Sequence, residues 1–510
     1  MVARVATVAF LGIEALPVDV QVQISSGVVA FTIVGLGDKA VAESRERVRA
    51  ALNACGLALP AKRITVNLAP ADLPKEGSHF DLPIAVGLLM VMGLIPADLA
   101  SRYLVLGELA LDGTISSVTG TLPAAVAANA RGLGLICPKD SGPEAAWAGA
   151  DVDILAPANL VQLINHVKGA QVLSRPDPAM AVEGARLLDL KDIKGQEVAK
   201  RALEVAAAGG HHLLMVGPPG AGKSMLAQRL PSLLPPMDAA EMLEVSMIAS
   251  VAGELAGGRI TRRRPFRSPH HSASLPALVG GGMRARPGEM ALAHHGVLFL
   301  DELPEFQPRV LESLRQPLET GETVIARANH HVTYPARFQL VAAMNPCRCG
   351  DAGAPDHVCR RGERCAIDYQ ARISGPLLDR LDIQIELPPV RASDLTLPAA
   401  KETSAVVAAR VAAARDRQRH RFLALGRRDL RLNAQADGDV LEAIARPEDA
   451  ALALLREAAE RMGLSARGYH RVVRVARTAA DLTGNDMITR EDMAEALTYR
   501  QRLAAFEIAA

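Results

Sequence analysis

The sequence predicts an α/β protein built around a parallel-sheet, phosphate-binding core, with a second α/β domain before it and a helical domain after it. Three observations predict this. Residues 217–224 read G-x-x-x-x-G-K-S between an apolar run, Leu213-Leu-Met-Val216, and a helical pattern, Met225-Leu-Ala-Gln-Arg-Leu230. That strand–loop–helix setting is the one in which such a loop cradles phosphate. About eighty residues on, Val297-Leu-Phe-Leu300 ends in Asp301 and Glu302, a buried strand carrying two carboxylates at the end where open parallel sheets place their sites. Beyond Pro388-Pro389 the pattern turns alanine-rich and helical.

Composition sets the bounds. A chain of 510 residues has room for roughly two to four domains. The 49% hydrophobic and 3% aromatic content means large, aliphatic cores. A net charge of +1 neither favours nor excludes a nucleic-acid partner, so local clusters must decide. Six cysteines in so long a chain are no disulfide scaffold. The longest apolar stretch, Ile84 to Ile95 between Pro83 and Pro96, is too short to span a bilayer. The N-terminal apolar run is interrupted by Glu14 and lacks a cleavage site, so a cytoplasmic protein without membrane contact is expected.

Residues 1–170 mix short β-rich runs with helical patterns. Val18-Asp-Val-Gln-Val-Gln-Ile24 alternates as a half-buried strand does. Further strands are expected at Phe31–Val34, Ile64–Leu68, Tyr103–Leu106 and Leu133–Ile136, with helices at Ala40–Leu52 and Pro83–Met92. Two segments, Leu73-Pro-Lys-Glu-Gly-Ser-His-Phe-Asp81 and Gly107-Glu-Leu with Gly113 and Gly120, resemble the protease domain of the Lon family. The resemblance places His79 where that family carries its serine, with Ser78 one place off, and Leu122 where it carries the activating lysine. A Ser–Lys dyad needs both partners in hydrogen-bond reach, so a non-proteolytic relative is expected. Residues 171–186, rich in turn formers, read as a linker.

The core is expected over 187–390. In the loop, Gly217, Pro218, Pro219, Gly220, Ala221 and Gly222 let backbone N–H groups turn around phosphate oxygens. Lys223 would reach the β- and γ-phosphates of ATP, and Ser224 and Asp301 would hold Mg²⁺, while Glu302 polarises the attacking water. Between loop and carboxylates runs a Gly- and Arg-rich insert with Arg262, Arg263, Arg264, Arg267, Arg284 and Arg286. Such cations fit mobile loops on a DNA backbone; the alternatives are a solvated basic face or pairing with a neighbouring subunit. Val310–Glu319 reads as one helix. Glu322–Arg327 and Val332–Pro335 read as a hairpin whose tip offers Arg327 and His330 to DNA. Phe338–Met344 is a buried strand ending in Asn345.

Cys347, Cys349, Cys359 and Cys365 fall within nineteen residues. Their thiolates could hold a structural Zn²⁺; reduced buried thiols and a redox role are the alternatives. Cys55 and Cys137 stand apart as core residues. Eight of the thirteen histidines form adjacent pairs. Neighbours on a strand point to opposite faces, so these pairs are expected in polar contacts, not around a metal. Arg380, just before the strand Ile383–Leu387, is placed to reach an adjacent subunit's γ-phosphate, or else pairs with Asp379 or Asp382. Helices at Val406–Leu423, Ala451–Met462, Ser465–Leu482 and Arg490–Ala504 complete a helical domain over 391–510.

Residues 217–224, the Pro265-Phe-Arg and Pro-His-His block, 296–304, Met344-Asn-Pro-Cys347 and 374–382 together resemble the magnesium-chelatase-like AAA+ family, and within it a competence-related helicase branch. The chain departs from that family in the Cys359–Cys365 spacing. The resemblance implies a homo-hexameric, ATP-driven helicase acting on single-stranded and branched DNA beside recombinase machinery, and promoting branch migration during natural transformation. A chelatase-type motor subunit or a protein remodeller is the alternative. It also implies that Ile193 and Gly195-Gln196 border the adenine, that Asn345 orients water, and that Arg467 touches ATP from the lid, with Arg471 as the second choice.

Overall fold

In the computed structural model, residues 2–500 are described, apart from 36, 182–186, 283–284, 327–330, 351–358, 360–363, 397 and 399–401. The core is a five-stranded, all-parallel sheet. Its strand order is Phe266–Arg267, Val297–Leu300, Gln339–Met344, Leu213–Val216 and Ile383–Glu386. The strand that leads into the 217–224 loop is therefore flanked on both sides, and all four of its residues are buried. Because every strand runs the same way, all five leave the sheet at one edge and enter it at the other.

The N-terminal domain is a seven-stranded sheet ordered Ala30–Val34, Arg63–Ala69, Glu14–Ser25, Val2–Leu11, Tyr103–Val105, Gly134–Ile136 and Ile154–Leu155. Glu14–Ser25 runs antiparallel to both neighbours; the other pairs are parallel. The helix Asp81–Val91 is almost wholly buried against it. Val2–Leu11, ten residues long and near the middle of the sheet, was not among the expected strands, although Ala3, Val5 and Thr7 alternate inward with Arg4 outward. This domain is seated on the core. The Glu144 carboxylate accepts the Leu122 N–H at 2.9 Å and the Ser250 hydroxyl of the helix Ala239–Ala252. The turn around Gly12 packs on Val332 of the hairpin Glu322–Ala326 and His331–Pro335.

The expected helix over Val310–Glu319 is two helices, Pro308–Ser313 and Arg315–Thr320. Pro317 lacks the N–H that would continue the ladder from Ser313. The last helix ends at Thr498, and residues 501–510 lie outside the described part.

The C-terminal helices Ser404–Ala424, Ala466–Thr483 and Arg490–Thr498 share one apolar core with the helix Glu197–Gly209, which precedes the loop strand. Polar contacts fix where they dock. Gln418 Nε2 donates to the Ala208 carbonyl at 3.1 Å and Arg415 to that of Ala207. His211 joins Asp382 at 3.2 Å and Thr478 at 2.8 Å, and Arg471 joins Asp382 at 2.8 Å. Burial alone would raise the Asp382 carboxyl. The His211 hydrogen bond and the Arg471 charge instead hold it well below the usual range. The helical domain thus packs at the edge where strands enter the sheet, the edge away from the loop.

His212 Nδ1 accepts the Leu340 N–H at 3.0 Å, which requires that nitrogen to be unprotonated. Loss of solvent around the ring lowers its pKa from the ordinary 6.5 to about 4. The unfolded chain therefore takes up this proton first, and stability present above pH 6.5 is lost as pH falls toward 4. His212→Asn keeps an acceptor but does not titrate. Denaturant melts across this window are expected to show a one-proton slope difference between wild type and variant.

Candidate active site

Loop 217–224 leaves the strand next to the sheet's edge strand through two left-handed glycines, Gly220 at φ +79° and Gly222 at φ +89°, a conformation that costs glycine little. Lys223 is 8% exposed. Its Nζ donates to the carbonyls of Gly217 at 2.7 Å and Pro218 at 3.0 Å, and to Asn345 Oδ1 at 3.0 Å. Burial pulls its pKa below the ordinary value, and the charges of Asp301 and Glu302 oppose that. Ser224 Oγ donates to Asp301 Oδ2 at 2.6 Å. Residues 216 and 344 are register partners, so Asn345 lies beside Gly217 by construction of the sheet. Gln196 Nε2 donates to the Ala221 carbonyl at 3.4 Å and to that of Pro388 at 3.0 Å, which brings the 190–196 approach segment to the loop.

A hydroxyl, a carboxylate and a lysine meeting at a glycine-lined anion cradle form a hard-oxygen donor set that suits Mg²⁺ bound with a nucleoside triphosphate. When bound, the ion would neutralise phosphate charge. Ser224 and Asp301 would hold it, and Lys223 would turn from its carbonyl partners to phosphate.

Glu302 stands in a left-handed backbone conformation, φ +53°, and is exposed. Its Oε2 lies 3.0 Å from Nδ1 of His271. Sequence reasoning missed this partner. The 270–271 pair is expected in polar contacts, but nothing in its spacing aims one imidazole at a carboxylate thirty-one residues away.

The opposite edge of the sheet holds a second polar cleft of about 910 Å³, lined by His212, Gly296, Gln339 and Asp382 at the strand starts and by Arg380, Arg467, Arg471 and Arg474. Each four-residue strand spans ~13 Å, so these arginines stand a strand's length or more from their own chain's loop. The expectation that Arg467 touches ATP within its own subunit is therefore corrected: its helix begins on the far edge. Arg380 pairs with neither Asp379 nor Asp382. It is buried, it bonds the Glu319 carboxylate and the Pro376 carbonyl, and its Nε has no partner among the described residues. Arg471 and Arg474 are held by Asp382 and by Asp437 and the Ala436 carbonyl. Arg467 is exposed.

The basic insert divides in two. Arg264 is consumed internally by Glu241 at 2.8 Å and the carbonyls of Pro235 and His295. Arg267 is bidentate on Glu289 and also bonds Glu254. Both were expected on DNA, and both instead brace the insert against the core. Arg262 and Arg286 are exposed and Arg263 half-buried, with no ion pair among the described residues. Arg284, Arg327 and His330 lie outside the described residues.

The histidine pair 294–295 converges, against expectation, because His295 is left-handed at φ +54°. Both Nε2 atoms reach Glu244 Oε2, at 3.0 and 2.8 Å, and pull that carboxyl down to about 2. His294 Nδ1 already accepts the Arg337 N–H, so its Nε2 must carry the proton: this is a donor pair, not a metal site. In the N-terminal domain, Ser78 bonds the Glu108 carboxylate, and Leu122, at the lysine position of the resemblance, is buried and aliphatic. The sulfurs of Cys347, Cys349, Cys359 and Cys365 all lie within 4.8 Å of one another. Among the described residues no helix is long and apolar enough to cross a membrane.

Comparison with known proteins agrees along nearly the whole chain. Family models described as magnesium chelatase subunit ChlI match residues 189–395 and, for its C-terminal part, 401–500; one described as subunit ChlI of Mg-chelatase matches 20–141. The chain is 44% identical to the uncharacterized protein YifB of Escherichia coli, over 97% of this chain and 96% of that one. It is 43% identical to the competence protein ComM of Haemophilus influenzae, over 96% of each. Similarity to the magnesium-chelatase 38 kDa subunit of Rhodobacter capsulatus is 32%, over 30% of this chain and 49% of that subunit.

Replacing Glu302 by Gln is expected to leave nucleotide binding intact and to slow turnover by ~10²-fold or more. A filter-binding assay beside a phosphate-release assay checks this; unchanged turnover would remove Glu302 from the water-activating role.

Proposed function

This chain belongs to the magnesium-chelatase-like AAA+ family shared by YifB and ComM, and from that premise we propose that it is an ATP-hydrolysing DNA motor, a homo-hexameric helicase that promotes branch migration of recombination intermediates. The observation that carries the reading is the contact between His271, on the basic insert, and Glu302. An insert whose unpaired arginines face solvent holds the carboxylate that must be free to polarise water. A polyanion drawn onto Arg262, Arg263 and Arg286 would shift the insert and release Glu302. Turnover would then answer to DNA.

The two edges of the sheet complete the mechanism. At the loop edge, Lys223 and Ser224 position the nucleotide, Asn345 aligns water, and Glu302 accepts its proton. At the other edge, Arg380 and Arg467 are too far away to serve their own loop, so they serve the loop of the next subunit. Arg380 has its fork held by Glu319 and Pro376, with its buried Nε unpartnered among the described residues, so reaching a neighbour's nucleotide requires it to turn out from these contacts. A site completed only between subunits makes hydrolysis depend on assembly and passes each event to a neighbour.

Two experiments test this. ATPase rates with and without single-stranded and branched DNA are expected to show stimulation that His271→Ala largely abolishes by raising the basal rate. DNA affinity is expected to fall steeply with salt, with the slope reduced by about one for each of Arg262 and Arg286 removed. An ATPase indifferent to every form of DNA would support a motor acting on a partner protein, the reading the chelatase-subunit matches favour.

For the shared site, Arg380→Ala alone is expected to lower turnover by ~10³-fold. Mixing it with Glu302→Gln subunits should restore part of the activity, because some seams then pair a sound loop with a sound arginine. No recovery in mixtures that co-assemble would place Arg380 outside the neighbour's site.

A further inference from the structure

The four clustered cysteines take no part in the chemistry above, yet their placement is specific. Cys347 and Cys349 sit on a tight turn directly after Asn345, closed by the Gly350 N–H to the Cys347 carbonyl at 3.0 Å. Cys365 lies in the first turn of the helix Arg364–Gln370, whose last residue returns to the Pro346 carbonyl at 2.9 Å. Sγ separations are 3.8 Å for Cys347–Cys349, 3.1 Å for Cys349–Cys359 and 3.5 Å for Cys349–Cys365. A disulfide would need about 2.05 Å and only one pair. Four sulfurs around a tetrahedral ion, each ~2.3 Å from it, stand ~3.8 Å apart. Core packing does not explain the group either, since Cys349 is exposed and Cys359 half-buried.

We infer that Cys347, Cys349, Cys359 and Cys365 form a tetrathiolate zinc site that fixes the turn following Asn345 against the phosphate-binding loop. Two buried and two accessible sulfurs enclose a single point, with the soft donor set that zinc takes in structural sites. The mechanical consequence lies at Gly350. Its φ is +84°, and a Cβ there would come within 2.7 Å of the Pro219 ring, so the turn rests directly on the loop 217–224. The ion would lock both the Asn345 backbone and one wall of the phosphate cradle. Binding forms four Zn–S bonds and releases the thiol protons to solvent, with no change in oxidation state.

The test does not depend on the motor reading. Full-length protein purified with reductant from zinc-replete cells is expected to carry about one zinc ion per chain, measured by elemental analysis and released by a mercurial. Co²⁺ exchanged into stripped protein is expected to show sulfur-to-metal charge transfer and tetrahedral visible bands. The double variant Cys349→Ser, Cys359→Ser should lose the ion, while Cys55→Ser with Cys137→Ser should keep it. A metal-free protein that also fails to take up Zn²⁺ or Co²⁺, or a Co²⁺ spectrum without charge transfer, overturns the site. Stripped wild type is expected to bind a fluorescent ATP analogue roughly tenfold more weakly, recovering on Zn²⁺ return. Unchanged affinity would overturn the support of the loop.

Discussion

The parallel register of the core sheet is the constraint on which everything else rests. Leu213–Val216 pairs with Gln339–Met344 on one side and Ile383–Glu386 on the other, residue for residue. Because the strands run the same way, Gly217, Asp301 and Asn345 must emerge at one edge, and Asp382, His212 and Gly296 must lie at the other. The first set is acidic and amide-bearing around one lysine. The second is rich in arginine. Polarity of the backbone alone thus separates the loop, Asp301 and Asn345 from the arginines of the opposite edge.

The helical domain is held to the entry edge by a polar seam centred on Asp382. A carboxylate with almost no access to water is tolerable only when paired and hydrogen-bonded. Here His211 and Arg471 share the charge, one from the start of the loop strand and the other from a C-terminal helix. Losing either would leave an uncompensated charge in the interior. The helical domain is therefore tied to the entry edge by an interaction that is costly to break. Arg467 stands on the helical side of this pair, on the same helix as Arg471, and Arg380 on the sheet side, held by Glu319 and Pro376.

Local chemistry was legible in the sequence and tertiary partnership was not. The loop at 217–224 announces itself because its function is local: glycine conformations, a lysine and a hydroxyl at fixed offsets, a strand before and a helix after. Asp301 and Asn345 follow because each ends an apolar strand. Arg264 and Arg267 misled because a run of cations looks the same whether its partners are phosphates or the carboxylates of Glu241, Glu254 and Glu289, all contributed by other segments. Val2–Leu11 alternates only over its first residues and then becomes a continuous apolar run, so the pattern alone does not mark it as a strand. The side on which Arg467 falls depends on how a helical domain docks, and no spacing within that domain encodes it.

His271 shows what this division means for control. A carboxylate just after a buried strand has its backbone placed by the sheet, so its freedom lies in its side chain. Glu302 is exposed, and the partner that holds it, His271, comes from the insert. Arg267, clamped between Glu289 and Glu254 just four residues before His271, anchors one end of that segment. The arginine expected on a substrate is thus a brace within the insert, and the insert's direct contact with Glu302 is His271.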